Sequence, residues 1–222
     1  MTDDLLTGAG VCQATARLVV QPSVPVIELG AAPDILSRVL AAVHHANRHG
    51  EREDFIAVAL PAMNMGHHCM RPGLRLELVG SPDSLSALTR LEGIERLRNR
   101  EMIRALDLEM VGGDPMTTAA GYIRDRKAEK GTPGWIRRTE NRAARRGRPI
   151  GQEITPKGHD RTALRLEIGQ AVLSIRQITG PFVPGRPIHV STYGFSSTMA
   201  PAVLPVAPST AIKRRTKDLA MA

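Results

Sequence analysis

Two adjacent histidines, His44 and His45, stand in the run VLAAVHHANRHG, and a dense set of arginines stands far from them in the chain. An imidazole titrates near neutrality and can take a proton from a hydroxyl. RNA can be cut without a metal in this way, when the base frees a 2′-hydroxyl to attack the adjacent phosphate. Arginine brings the complementary chemistry, because its charge is permanent and its planar fork matches phosphate oxygens. Two metal readings compete. His45 and His49 have the i, i+4 spacing of a zinc pair, and His67, His68 and Cys69 form a short cluster. No second ligand pair follows either at a recognised spacing, so no metal or other cofactor is expected. His159 and His189 are isolated and read as structural.

Charge placement says more than net charge. The 222 residues carry a formal charge of +8, and between Arg124 and Arg148 there are ten Lys or Arg against three Asp or Glu. The rest of the chain is nearly balanced, with 20 basic and 19 acidic residues. Such concentration is the footprint of a polyanion partner, although a solvated basic helix has the same composition. One Trp, two Tyr and three Phe are too few for a binder that stacks single-stranded bases on aromatic rings. Two cysteines do not make a disulfide framework and fit a reducing cytoplasm. The start of the chain lacks a signal-peptide pattern, and no apolar run reaches membrane-spanning length, so no membrane partner is expected.

The elements that must position these groups follow from periodicity. Residues 13–20 read as a strand and 21–30 as a Pro-broken loop. A helix then opens at Pro33 and Asp34, carries Ile35, Leu36, Val39, Leu40 and Val43 on one stripe, and closes at Gly50. This places His44 at the flank of the buried stripe and His45 toward solvent. A half-buried histidine there is either structural or a base. Residues 54–60 and the alternating Leu74, Leu76 and Leu78 give two strands. Ser81, Pro82 and Asp83 start a helix with Leu85, Leu88 and Leu91 at helical spacing, and residues 102–111 give a further strand. Strand, helix, strand, strand, helix, strand is the split βαβ or ferredoxin-like order. The expected class is therefore α+β. A ferredoxin-like domain at 11–112 is followed by a linker at Gly112 to Pro115, an α/β domain at 113–206 with an arginine-rich helix, and a flexible basic tail at 207–222. Strand-like stretches in the second half are 163–166, 171–178 and 189–195.

Thr132 can cap the arginine-rich helix, with Pro133 in its first turn and Gly147 ending it. At about 100° per residue, Arg138, Arg142, Arg145 and Arg146 share a face, with Arg137 beside them, while Ile136, Glu140, Ala143 and Ala144 lie opposite. Arg124 and Arg126 precede this helix at alternate positions beside Tyr122. In an extended stretch they would share one side, placed to read guanine edges or left as solvated charges.

Taken together, these segments resemble a known family. VLAAVHHANRHG followed by DFIAVALP, the stretch GLRLELVGSPDSLSALTRLEGIERLRN, the helix WIRRTENRAARRGR and the ending VSTYGFSS before AVLPV resemble, in order and spacing, the CRISPR repeat-processing endoribonucleases of the type I-F kind and their type IV relatives. The resemblance spans most of residues 13–206. It implies metal-independent cleavage of precursor CRISPR RNA at the base of a repeat hairpin, leaving a 2′,3′-cyclic phosphate and a 5′-hydroxyl. It also implies that the protein keeps its product and joins other Cas proteins in an effector complex in the cytoplasm. By position, His44 matches the catalytic histidine and Tyr193 the tyrosine that positions it. Arg124 and Arg126 match base-reading positions, and Arg138, Arg142, Arg145 and Arg146 match the groove-facing arginines. The chain departs from the pattern where the family commonly has a serine that orients the attacking hydroxyl. Here the stretch reads ALRLEIGQ, with Thr162 the nearest hydroxyl. In type IV relatives that rely on arginines, His44 loses its special role. A catalytically inactive hairpin-binding subunit and an unrelated basic RNA-binding protein are the alternatives.

Overall fold

The computed structural model describes residues 9–67, 69–104, 106–111, 119–126, 129, 133–147, 163–169 and 171–206. The protein is a mixed α+β structure with several sheets. Its elements in chain order begin with β1 (Ala9–Cys12), β2 (Ala16–Val20), α1 (Val24–Glu28), α2 (Ala32–His49), β3 (Ala57–Ala59), β4 (Asn64–Met65), β5 (Met70–Arg71) and β6 (Leu76–Gly80). They continue with α3 (Pro82–Thr89), α4 (Glu92–Asn99), β7 (Leu108–Met110), β8 (Ala119–Arg124) and α5 (Pro133–Arg145). The last are β9 (Leu164–Ile168), β10 (Ala171–Thr179), β11 (Ile188–Ser191), β12 (Ser196–Ser197) and β13 (Leu204–Pro205).

One sheet has four antiparallel strands in the order β3-β6-β2-β7. Ala16, Leu18 and Val20 of β2 alternate inward and meet Gly80, Leu78 and Leu76 of β6, so one face is apolar. Helix α2 covers it through Ile35, Leu36, Val39, Leu40 and Val43, all buried, and packs beside α3 and α4. A second sheet runs β12-β8-β10-β9, with β13 also on β8. Ser37 of α2 donates a hydrogen bond to the Glu167 carbonyl of β9 (2.8 Å), so this helix touches both sheets. A single apolar core joins them, from Leu18 and Leu78 to Leu164, Leu173 and Phe195. Each such fully buried leucine contributes about 2 kcal/mol relative to exposure.

Several elements differ from expectation for local reasons. The strand expected at 13–20 is two strands, because Ala14 takes a left-handed conformation (φ 51°) between them. β1 then pairs with β11, whereas β2 pairs with β6 and β7. The segment expected as a Pro-broken loop contains helix α1, with Pro25 in its first turn, where a missing N–H costs nothing. The single helix expected after Ser81 is two: α3 ends at Thr89 and α4 starts anew after an extended Leu91. Among the described residues of 102–111, only β7 pairs along its length, and Ile103 makes a lone bridge to Pro22. The strand expected at 189–195 is a strand, a turn and β12, because Gly194 has φ 80°. The 112–115 linker and the 207–222 tail lie outside the described residues.

Candidate active site and nucleic-acid interface

Helix α2 puts His44 at the edge of its buried stripe, half-buried, with His45 exposed. Asn47, one turn further on, is buried at the same end of that stripe. Its amide accepts the Ile56 N–H (2.8 Å) and donates to the Ile56 carbonyl (2.9 Å) and the Thr192 carbonyl (3.3 Å). One side chain thereby fastens the helix to the start of β3 and to the turn before Tyr193. The turn is also held from below. The Val58 N–H donates to the Gly194 carbonyl (2.8 Å), and a side chain at position 194 would begin 2.6 Å from Val58 Cγ2. Only glycine fits both the conformation and the space.

This turn lays the Tyr193 ring flat on His44, with ring centroids 4.0 Å apart and planes 4° from parallel. The guanidinium of Arg124, at the end of β8, lies 5.1 Å from the centroid of the Tyr193 ring, a cation–π distance. Arg124 is itself held by a two-pronged ion pair with Glu129, through Nε and Nη2 at 2.7 Å each. The side chains are 17% and 9% exposed, so this is a sheltered pair with the fork geometry that strengthens such contacts. The Ser174 N–H donates to the same carboxylate (3.2 Å), tying it to β10. Helix, turn and second sheet thus converge on one imidazole.

The pKa of His44 lies below the usual imidazole value. Burial is the main cause, and the charges of Arg48 and Arg124 add to it; the Thr192 backbone favours the protonated ring without outweighing them. Its Nδ1 is shut off from solvent and makes no hydrogen bond among the described residues. Burial and the neighbouring guanidinium groups therefore favour the neutral ring.

The structure separates the other predicted residues. β8 ends at Arg124, and Arg126 follows in an exposed turn, so the two do not share a strand face. Tyr122 is buried, and burial pushes its phenol well up. The arginine helix is α5. Arg137, Arg138, Arg142, Arg145 and Arg146 are all exposed, while Trp135, Ile136, Thr139 and Ala143 are half-buried along the adjoining stripe. Gly147 ends it in a left-handed conformation (φ 59°). Among the described residues, none from this helix belongs to the apolar core. Thr132, His159 and Thr162 lie outside the described residues.

Of the metal readings, His45 and His49 have ring centroids 4.6 Å apart on the outer face of α2, and His67 and Cys69 are exposed at the β4–β5 hairpin. His68 lies outside the described residues, among which no three His, Cys, Asp or Glu side chains converge. His189 is half-buried in β11 opposite Val11. Cys12 is buried, donates to the Val79 carbonyl (3.2 Å) and has its thiol pushed up to about 11, which makes it inert.

Sequence reasoning did not find Asn47, Glu129 or Ser174. Asn47 had a signal, since a polar residue four positions after Val43 interrupts an apolar stripe. Glu129 had a weaker one as an acid inside a basic run. No protein-family model and no curated protein matches the chain. Among the described residues, no helix is long and apolar enough to cross a membrane.

Proposed function

We propose that the protein is a metal-independent endoribonuclease that binds the hairpin of a CRISPR repeat, cuts the precursor RNA at its base and keeps the mature product as a subunit of a Cas effector complex. The observation that carries this reading is the flat stack of Tyr193 on a neutral, half-buried His44, with Arg124 at the edge of the pair. A base must be unprotonated and aimed; the lowered pKa of this histidine supports the first and its stack on Tyr193 the second. His44 Nε2 takes the proton of the 2′-hydroxyl. The 2′ oxygen bonds to the adjacent phosphorus, and the bond from phosphorus to the 5′ oxygen breaks. That oxygen takes up a proton from solvent, leaving a 2′,3′-cyclic phosphate and a 5′-hydroxyl. Tyr193 fixes the plane of the imidazole.

Helix α5 supplies recognition. Its arginines are exposed, which suits contact with phosphates. An A-form major groove is too deep and narrow to read without local widening, so the hairpin end is the natural docking point. Arg126 is free in its exposed turn to meet the nucleotides beside the cut. The ferredoxin-like assignment of the first half is supported by strand order. Each βαβ connection, β2 to β3 and β6 to β7, skips one strand, as a split βαβ unit requires.

A second reading, an RNA-holding subunit that does not cut, is favoured by one observation. The guanidinium set against the Tyr193 ring, Arg124, is engaged by Glu129 and so is not free to neutralise the transition state. The test uses repeat RNA with chelator present and a copy with 2′-deoxy at the cleavage position. One cut in the natural RNA, with the deoxy copy bound and intact, is expected. Binding of both with cutting of neither selects the second reading.

A further inference from the structure

Helix α2 has two flanks. One carries His44 and meets the Tyr193 turn; the other, 100° around the helix, carries Arg38 and His45 and faces α4. Between α2 and α4 lies an open groove of about 540 Å³. Its floor is apolar, with Ala42 and Leu97, and its rim carries the guanidinium groups of Arg38, Arg96 and Arg100 beside the His45 ring. Glu92 also lines it and pairs with Arg96, which leaves Arg38 and Arg100 as the charges without an acidic partner in the groove. The only surface of α2 between His44 and this groove is its outer face, where Arg48 is exposed. Guanidinium groups from two helices above an apolar floor suit a chain with regularly spaced anions and flat apolar bodies. A single strand of RNA has that chemistry, with phosphates for the rim and a base or ribose for the floor.

We propose that the groove between α2 and α4 binds the single-stranded RNA that continues past the scissile phosphate, so that the strand crosses the outer face of α2 from His44 to Arg38 and Arg100. This rests on the hairpin-binding reading above. Holding the strand on both sides of the reacting phosphate limits its freedom and favours the in-line arrangement that displacement needs.

The experiment compares two RNAs, both 2′-deoxy at the cleavage position so that they stay whole. One ends just past that position, and the other carries about six further single-stranded nucleotides. Each is titrated against the full-length protein and the doubly substituted Arg38→Ala/Arg100→Ala form over a range of salt. Both side chains are exposed, so the substitutions leave folding intact, which a thermal melt checks. The wild type is expected to bind the longer RNA about tenfold more tightly and with a steeper salt slope, by about 0.7 for each added phosphate contact. The substituted protein should lose that advantage and bind the shorter RNA as the wild type does. Equal wild-type affinity for both RNAs overturns the inference and points the groove toward a protein ligand. An advantage that survives in the substituted protein overturns it too, since the strand then lies elsewhere. If neither RNA binds the wild type, the hairpin reading itself fails.

Discussion

The His44 cluster and helix α5 are built on opposite plans. The cluster is small and over-determined, with one buried amide, one glycine turn and one sheltered ion pair all fixing a single imidazole. Helix α5 carries far more charge, yet none of its described residues belongs to the core, and its arginines are exposed to solvent. If the proposed function holds, chemistry at one phosphate tolerates little positional error, which fits residues tied to the core through Asn47 and the Gly194 turn. Contact with many phosphates sums over weak, exchangeable interactions, and an exposed helix serves it well. Rate and affinity should therefore separate by region.

The largest effect is expected from His44→Ala. Loss of a general base slows cleavage by about 10²–10⁴-fold, with hairpin affinity retained. Single-turnover cleavage and a binding titration on one preparation check both halves, and cutting at the wild-type rate would remove His44 from the mechanism. In the wild type the rate should fall with acid, since protonation removes the base. Its midpoint should lie below the ordinary imidazole value of 6.5, because the folded pKa is lowered.

Next in size is the double change Arg142→Ala/Arg145→Ala on α5. It should weaken hairpin binding and reduce the salt slope by about 2, one for each lost phosphate contact. The cleavage rate at saturating RNA should hold. A saturated rate that falls with affinity would mean that recognition and chemistry are not separate here.

Asn47→Ala sharpens the comparison from the side of stability. It strands the Ile56 N–H and carbonyl in the interior, which costs about 1–3 kcal/mol, and it frees the Tyr193 turn. Chemical denaturation should show that loss, and the cleavage rate should drop further than at Arg142 or Arg145. The smallest effect is expected from Tyr193→Phe, which keeps the ring stack. A rate near wild type assigns the role to the ring, and a large fall assigns it to the hydroxyl.

What was legible in the sequence followed strong periodicity. Helix α2 was readable end to end because its apolar stripe repeats at helical spacing and Gly50 closes it. The arginine face of α5 was readable for the same reason. What stayed hidden depended on single backbone conformations or distant partners. Nothing in the composition around Ala14 marks a left-handed residue, and that residue sends two strands to different sheets. Tyr193 came only through resemblance, since no local pattern joins it to a histidine across the fold. Arg124 looked free because its partner Glu129 reads in sequence as one acid among many bases.

The pairing of β1 with β11 bears on how the protein comes to exist. A chain emerging from its N-terminus contains β2, β3, β6 and β7 early and can begin its four-stranded sheet from them. β1 must wait for a strand that ends at Ser191, and Asn47 must wait for the Thr192 carbonyl, 145 residues away. Such a long closure is slow but adds little further entropy once the rest has folded. The imidazole is therefore in place long before the ring that orients it. A nascent or C-terminally clipped chain holds the histidine without its stacked tyrosine.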